Sequence, residues 1–138
     1  MIYPDTSMLV AIYVGEPAGD RLDEWWSDNQ AQMVISGWTE LEFTSALAMK
    51  ERSKAITADK RGAALALFTR HWAGPESRVS VPTSCFSRAA TMISAAEGLR
   101  GADALHLAVA EHHGASLFTL DRQQAELGRK LGVMTQLL

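Results

Sequence analysis

The sequence lacks the features that would place it outside ordinary intracellular globular proteins. It contains a single cysteine, Cys85, in 138 residues, which excludes an internal disulfide framework and fits a reducing compartment. No apolar run approaches the ~20 residues that cross a bilayer. The N-terminus has no basic region ahead of an apolar stretch, as a signal peptide would have. These absences predict a cytoplasmic protein that does not contact membranes.

Basic residues are also in the minority. The 13 Lys and Arg residues face 16 Asp and Glu residues, which gives a net charge of −3. A broad nucleic-acid-binding surface would carry the opposite sign, so any nucleic-acid contact must be local. The remaining composition is typical of a folded protein, and the length predicts one domain over residues 1–138.

Short apolar runs alternate with longer helical patterns along the chain. The strand-like runs are residues 1–4, 33–35, 79–81, 117–120 and 133–137. The helical patterns cover residues 18–28, 38–53, 57–72, 83–97, 103–113 and 122–131. Alternation of this kind predicts an α/β domain with a mostly parallel sheet, because right-handed crossovers connect parallel strands. The first strand is expected to end at Pro4, since proline removes a ladder donor.

Four acidic residues follow the strand-like runs or lie near the starts of helices: Asp5, Glu42, Asp103 and Asp121. The carboxyl ends of parallel strands share one edge of a sheet, so acids far apart in sequence can meet there. Crowded carboxylates repel one another, and their pKa values rise unless a cation joins them. Clusters of oxygen ligands suit hard divalent ions, which predicts Mg²⁺ or Mn²⁺ and favours phosphodiester chemistry.

Each acid also has an ordinary structural explanation. Three of the four stand where an N-cap residue would accept a backbone N–H group. Thr39 and Glu42 have the spacing of a capping box. Glu40 competes with Glu42 for a place in any site, because residues two apart on a helix face roughly opposite ways. Spacing alone does not choose between these two glutamates.

The ordered set of motifs resembles that of the PIN-domain nucleases. The family's first motif is similar to residues 1–7 (MIYPDTS), and its second to residues 35–42 (ISGWTELE), which selects Glu42 over Glu40. Its third and fourth motifs are similar to residues 101–108 (GADALHLA) and 117–121 (LFTLD). In size and layout the chain is most similar to the VapC toxins of bacterial type II toxin–antitoxin (VapBC) pairs.

This resemblance implies a three-layer α/β/α domain with a central parallel sheet and the activity of a Mg²⁺- or Mn²⁺-dependent endoribonuclease. The catalytic, metal-binding acids would be Asp5, Glu42, Asp103 and Asp121. The hydroxyl groups that support them would be Thr6, Ser7 and Thr119. The implied partners are an RNA substrate, a cognate VapB-type antitoxin and a second copy of the chain in a homodimer.

Other residues near these motifs are candidates for binding. Arg100 and Arg122 are expected to hold the scissile phosphate, or to pair with the neighbouring carboxylates instead. His106, three residues after Asp103 on the same helical face, either packs beside the site or touches metal or substrate. An antitoxin would bind an apolar groove formed by helices 18–28 and 38–53. Its candidate contacts are Trp25, Trp26, Leu41 and Phe43.

Two other functions compete with this interpretation. A PIN-fold module can bind or process RNA without being a toxin. An aspartyl-phosphate phosphatase of the haloacid dehalogenase kind also has an acid after its first strand. That family needs a second Asp where this chain has Ser7, and a late lysine for which Lys130 is poorly placed.

Overall fold

The computed structural model describes residues 1–138, with the exception of the Asp20 side chain. The strands of the described chain are β1 (Ile2–Pro4), β2 (Ile35–Ser36), β3 (Arg78–Val79), β4 (Ser116–Thr119) and β5 (Thr135–Leu137). Its α-helices are α1 (Thr6–Val14), α2 (Pro17–Asp20), α3 (Asp23–Asn29), α4 (Gly37–Arg52), α5 (Ala58–His71), α6 (Thr83–Ala95), α7 (Gly101–His112) and α8 (Arg122–Lys130). Within this described part, no helix is long and apolar enough to cross a membrane.

All strand pairs are parallel, as the alternation of strands and helices predicts. β4 lies between β1 and β5, and β2 pairs with β3. A parallel bridge between Ile2 and Met33 joins the two ladders, so the strands follow the order β3-β2-β1-β4-β5. The chain moves outward in one direction from β1 to β3 and in the other from β4 to β5. The sheet therefore has its topological switch point between β1 and β4, where ligand crevices form in open α/β sheets.

The side chains of the strands alternate between two buried clusters. Ile2 and Phe118 contribute to a cluster with α1, α3, α4 and α5, whereas Tyr3 and Leu117 contribute to one with α6, α7 and residues of α8. Successive residues of a strand point to opposite faces, so the sheet is covered on both sides. The result is the three-layer α/β/α architecture that the resemblance implies.

Three helices, α1, α2 and α3, differ from the sequence expectations. The sequence pattern assigned neither a helix nor a strand to the apolar run 8–14, which forms most of α1, and the residues of α1 are almost all buried. Burial on every side leaves no polar face, so the run has no helical periodicity to detect. The region 18–28, which the sequence predicted as one helix, forms two helices, α2 and α3. At Gly19 a Cβ atom would lie only 2.3 Å from the carbonyl oxygen of Ala11, so α2 passes directly over α1.

The helix caps separate the four acids into two pairs. Asp5 caps α1 by accepting the Met8 N–H at 3.2 Å, and Asp121 caps α8. The predicted capping box of Thr39 with Glu42 is wrong, because Ser36 is the N-cap of α4 and forms the box with Thr39. Asp103 is the third residue of α7 and not its cap. Capping therefore leaves the Glu42 and Asp103 carboxylates unexplained.

Candidate active site

The four acids meet at the carboxyl edge of the sheet. Asp5 follows β1, and Asp121 follows β4, the neighbouring strand across the switch point. Glu42 lies in α4, which begins directly after β2, and Asp103 lies in the first turn of α7. Hydrogen bonds connect Asp5 to the Asp121 loop through two hydroxyl groups, and Asp121 to Asp103 through Arg100, whereas Glu42 is held by Thr6, the residue after Asp5.

Asp5 is held by both of its carboxylate oxygens. Oδ1 accepts hydrogen bonds from Ser7 Oγ at 2.7 Å and from the Met8 N–H at 3.2 Å, and Oδ2 accepts one from Thr119 Oγ1 at 2.8 Å. The residue is 5% exposed. Burial raises the pKa of its carboxyl group, although the His106 charge and these hydrogen bonds oppose that rise. A buried carboxylate of this kind favours a nearby cation.

The same hydroxyl groups connect Asp5 to the loop that carries Asp121. Thr119 Oγ1 accepts the Asp121 N–H at 2.9 Å, and Ser7 Oγ accepts the Leu120 N–H at 3.1 Å. Ser7 and Thr119 therefore hydrogen-bond both Asp5 and the loop before Asp121, and their predicted support of a metal site stays a prediction. They fix the end of β4 relative to the start of α1.

Glu42 is joined to the site through one oxygen. Its Oε2 accepts hydrogen bonds from Thr6 Oγ1 and from His106 Nε2, both at 2.6 Å. Burial alone would raise the pKa of this carboxyl group, but His106, Thr6 and the Arg100 charge outweigh burial and lower it. Glu40 instead pairs with Arg78 at 2.6 Å. Glu42, and not Glu40, is therefore in contact with the residue that follows Asp5.

Arg100 bridges the other two acids. Its Nε donates to Asp103 Oδ2 at 2.6 Å, and its Nη2 donates to Asp121 Oδ2 at 2.8 Å. Burial raises the pKa of Asp103, the charges of Asp121 and Glu42 add to that rise, and Arg100 opposes it. The arginine thus pairs with carboxylates here, the alternative that the sequence left open. Arg122 is exposed at the start of α8.

The chemistry of these donors fits a hard divalent cation. All four groups are carboxylates, and burial raises the pKa of two of them, Asp5 and Asp103. In the described structure, however, no three His, Cys, Asp or Glu side chains already surround a point that could hold a metal ion. Hydroxyl groups and Arg100 hold the carboxylates instead, and Arg100 occupies Oδ2 of both Asp103 and Asp121.

His106 and Tyr3 contribute to the site in ways that the sequence did not establish. His106 is 1% exposed, and its ring lies 5.6 Å from that of Tyr3 and 6.3 Å from that of Trp38. The Tyr3 hydroxyl bonds Ser36 Oγ at 2.7 Å and Thr39 Oγ1 at 2.8 Å. Burial raises the pKa of Tyr3 to about 12, so this phenol stays neutral. The only sequence signals were a tyrosine in a buried strand and a histidine near Asp103.

The residues predicted to bind an antitoxin have different environments. Trp26 is 8% exposed and Phe43 is fully buried, and both belong to the core cluster beneath α1. Trp25 is half-buried and packs on Phe118, with ring centroids 5.0 Å apart. Leu41 is 62% exposed. Trp25 and Leu41 therefore remain candidates for a partner contact.

These two residues line separate grooves rather than the single groove that the sequence predicted. Leu41 lies in a groove of about 350 Å³ with Trp38, Val81 and Phe86. Trp25 lies in another, of about 260 Å³, with Leu120 and residues of the α2–α3 segment. The grooves are distinct because α4 lies beside β2 and β3, whereas Leu120 follows β4 on the other side of β1.

Comparisons with known proteins agree with this architecture. The family model described as PIN domain matches residues 2–130. No curated protein sequence matches the chain. The crystal structure of PAE2754 from Pyrobaculum aerophilum is similar with a TM-score of 0.69 and 21% identity, covering 91% of this chain and 78% of that one.

Two further structures are similar over nearly the whole chain. FitAcB from Neisseria gonorrhoeae has a TM-score of 0.69 and 18% identity, covering 98% of this chain and 96% of that one. FitAB bound to an IR36 DNA fragment has a TM-score of 0.71 and 15% identity, covering 99% and 94%. At these identities the likeness concerns the fold alone.

Proposed function

The chain belongs to the PIN domain family, and on that premise we propose that it is a Mg²⁺-dependent endoribonuclease, the toxin of a type II toxin–antitoxin pair. PIN domains are typically metal-dependent nucleases. The observation that supports the nuclease proposal here is the placement of four carboxylates at the carboxyl edge of the sheet, two of which, Asp103 and Asp121, are bridged by Arg100. Mn²⁺ is an alternative ion, since both ions prefer oxygen ligands.

Asp5, Glu42, Asp103 and Asp121 would hold the ion. When bound, a divalent ion activates a water molecule and stabilises the charge that develops on the phosphate. Ser7 and Thr119 keep Asp5 oriented by donating to its two oxygens. These hydroxyl groups also fix the loop before Asp121. They therefore hold Asp5 and Asp121, which lie on the two sides of the switch point, in fixed relative positions.

The RNA would reach this edge by local contacts. The net charge of −3 does not support a broad electrostatic surface for nucleic acid. Arg122 is exposed and adjacent in sequence to Asp121, so we propose it as a contact for a backbone phosphate. FitAB is bound to DNA in its structure. For this chain we propose RNA as the substrate, on the resemblance of its motifs.

The site assignment is tested with two matched glutamate variants. Glu42→Gln removes a proposed ligand, and Glu40→Gln changes a neighbouring glutamate of the same helix that pairs with Arg78 on the surface. In Mg²⁺, cleavage of total RNA by the first variant should fall by more than the roughly 10- to 100-fold that is typical when only a group orienting a ligand is lost. The second variant should cleave like the wild-type protein. Inactivation by Glu40→Gln and not by Glu42→Gln would contradict the assignment.

The toxin proposal has its own test. The chain should arrest growth when expressed alone, and co-expression with the small protein encoded beside it should restore growth. The two should then co-purify as a complex, in which we expect a homodimer of this chain. A chain that is harmless alone and binds no such protein would overturn the toxin proposal while leaving the nuclease proposal open. That result would favour the alternative function, a PIN-fold module that binds or processes RNA without being a toxin.

The phosphatase alternative loses support from the structure. Ser7 stands where the second Asp would be needed, and its hydroxyl donates to Asp5 Oδ1. Lys130 is the last residue of α8, and Asp121 caps the opposite end of that helix. The lysine required beside the aspartates is therefore missing from the described site.

A further inference from the structure

A buried histidine contacts Glu42 from the middle of α7. His106 Nε2 donates to Glu42 Oε2 at 2.6 Å, and Thr6 Oγ1 donates to the same oxygen at 2.6 Å. His106 Nε2 also lies 3.3 Å from Thr6 Oγ1. Its other ring nitrogen, Nδ1, is buried and has no hydrogen-bond partner among the described residues. The hydrogen bonding of this ring is thus directed entirely at Glu42 and Thr6.

Both donors converge on one oxygen of the carboxylate. Oε1 of Glu42 receives no hydrogen bond from any residue that the structure describes, so the two oxygens are not equivalent. We propose that His106 is a positioning residue, which with Thr6 fixes Oε2 of Glu42 and so orients the carboxylate that would hold the divalent cation. This inference rests on the proposed function, because it assigns a role within the same site.

The environment of the ring supports a positioning role. The rings of Tyr3 and Trp38 lie near it, and only 1% of His106 is exposed, so the imidazole is confined. The glutamate side chain has several rotatable bonds, and its side chain is 26% exposed. Its contacts come from α1 and α7, two helices on opposite faces of the sheet, so the carboxylate is held from both sides.

A packing role alone would not require a donor at this position. An apolar side chain would fill the same buried space without a hydrogen bond to Glu42. Groups that orient metal ligands change metal affinity when they are removed, even though they do not touch the metal. The two roles therefore predict different responses to a variant that restores the donor.

Mn²⁺ affinity of the full chain, measured by titration calorimetry, separates the two roles. His106→Leu should weaken Mn²⁺ binding about 10-fold. His106→Gln, whose amide N–H restores a donor, should recover most of that loss. In a Glu42→Met background, His106→Leu should cause no further loss, because it acts through Glu42. No recovery by Gln, or the same loss in both backgrounds, would overturn the proposal.

A second measurement requires neither metal nor RNA. Urea unfolding of the wild-type chain, His106→Leu, Glu42→Met and the double variant gives the coupling between the two positions, because each single variant removes the hydrogen bond between them. Non-zero coupling is expected, and zero coupling would show that His106 does not hold Glu42. If His106→Leu does not fold, Thr6→Val takes its place in the calorimetry. This variant removes the other donor to Glu42 and should likewise weaken Mn²⁺ binding. A wild-type chain that binds no Mn²⁺ would contradict the proposed function, and this cycle would still decide whether the contact exists.

Discussion

Replacement of Arg100 by glutamine should tighten Mg²⁺ binding. The Arg100 guanidinium donates to Asp103 at 2.6 Å and to Asp121 at 2.8 Å, so it competes with a cation for two of the four carboxylates. The side chain of Arg100 is 66% exposed. Its contacts are therefore weakened by solvent and salt, and a divalent ion can displace them.

The size of the effect follows from the exposure of the pair. Exposed ion pairs contribute roughly 0.2–1 kcal/mol each, so the two Arg100 contacts together contribute about 1 kcal/mol. In the variant, Mg²⁺ does not have to displace the arginine. Its affinity should therefore rise about 5-fold, the factor that corresponds to about 1 kcal/mol. The metal-free variant should lose about 1 kcal/mol of stability, or roughly 4 °C in Tm. Repulsion between Asp103 and Asp121 would add to that loss.

Titration calorimetry with Mg²⁺ at low ionic strength measures the change in affinity. Arg88→Gln is the matched control, because Arg88 also pairs with a carboxylate on the surface, donating to both oxygens of Glu111 at 2.7 and 2.8 Å. It should leave Mg²⁺ affinity unchanged. Equal or weaker binding of Mg²⁺ by Arg100→Gln would refute the idea that Arg100 competes with the ion.

Three further predictions follow from the site and its surroundings. Asp5→Asn should abolish cleavage and keep the fold. In the wild-type chain, burial raises the folded-state pKa of Asp5 above its ordinary value. The free energy of unfolding of the wild type therefore falls as pH rises from the ordinary Asp range through the folded-state pKa, and the Asn variant lacks this loss. The stability of the variant relative to wild type, measured by urea unfolding, should therefore be greater at pH 8 than at pH 3, and a difference independent of pH would contradict this. Added Mg²⁺ should raise the Tm of the wild-type chain by mass action but not that of Asp5→Asn, and equal shifts would place the ion elsewhere. Leu41→Ser should weaken capture of the antitoxin, while Met49→Ser, at a residue 59% exposed on the same helix, should not; equal capture by both variants would exclude the Leu41 groove.

Much of the fold was predictable because strands and exposed helices have clear periodic patterns. The five strands lie close to the predicted runs, and β1 ends at Pro4 as the missing N–H predicts. α1 was not predictable in this way, since burial on all sides removes its periodicity. The division between α2 and α3 depends on the close approach of Gly19 to Ala11, which only the tertiary structure contains.

The sequence predicted where the four acids lie in the fold but not how they are connected, and their catalytic role stays a prediction. The acids lie at chain positions that a parallel sheet brings to one edge, and the motif resemblance chose Glu42 over Glu40. The contact of His106 with Glu42 joins residues 64 positions apart, and it depends on how α7 and α4 approach β1. The pairing of Arg100 with two acids likewise depends on where the end of β4 lies. Such contacts between distant residues cannot be inferred from local sequence patterns.

The most direct test of the central claim is the chemistry of the RNA ends. Purified chain is incubated with RNA in Mg²⁺ and, in parallel, in excess chelator, and the cleaved ends are mapped. The account predicts 5′-phosphate and 3′-hydroxyl ends in Mg²⁺, as water activated by a metal ion would leave, and no cleavage in chelator. Undiminished cleavage in chelator, or 2′,3′-cyclic phosphate ends from attack by the RNA's own 2′-hydroxyl, would contradict it.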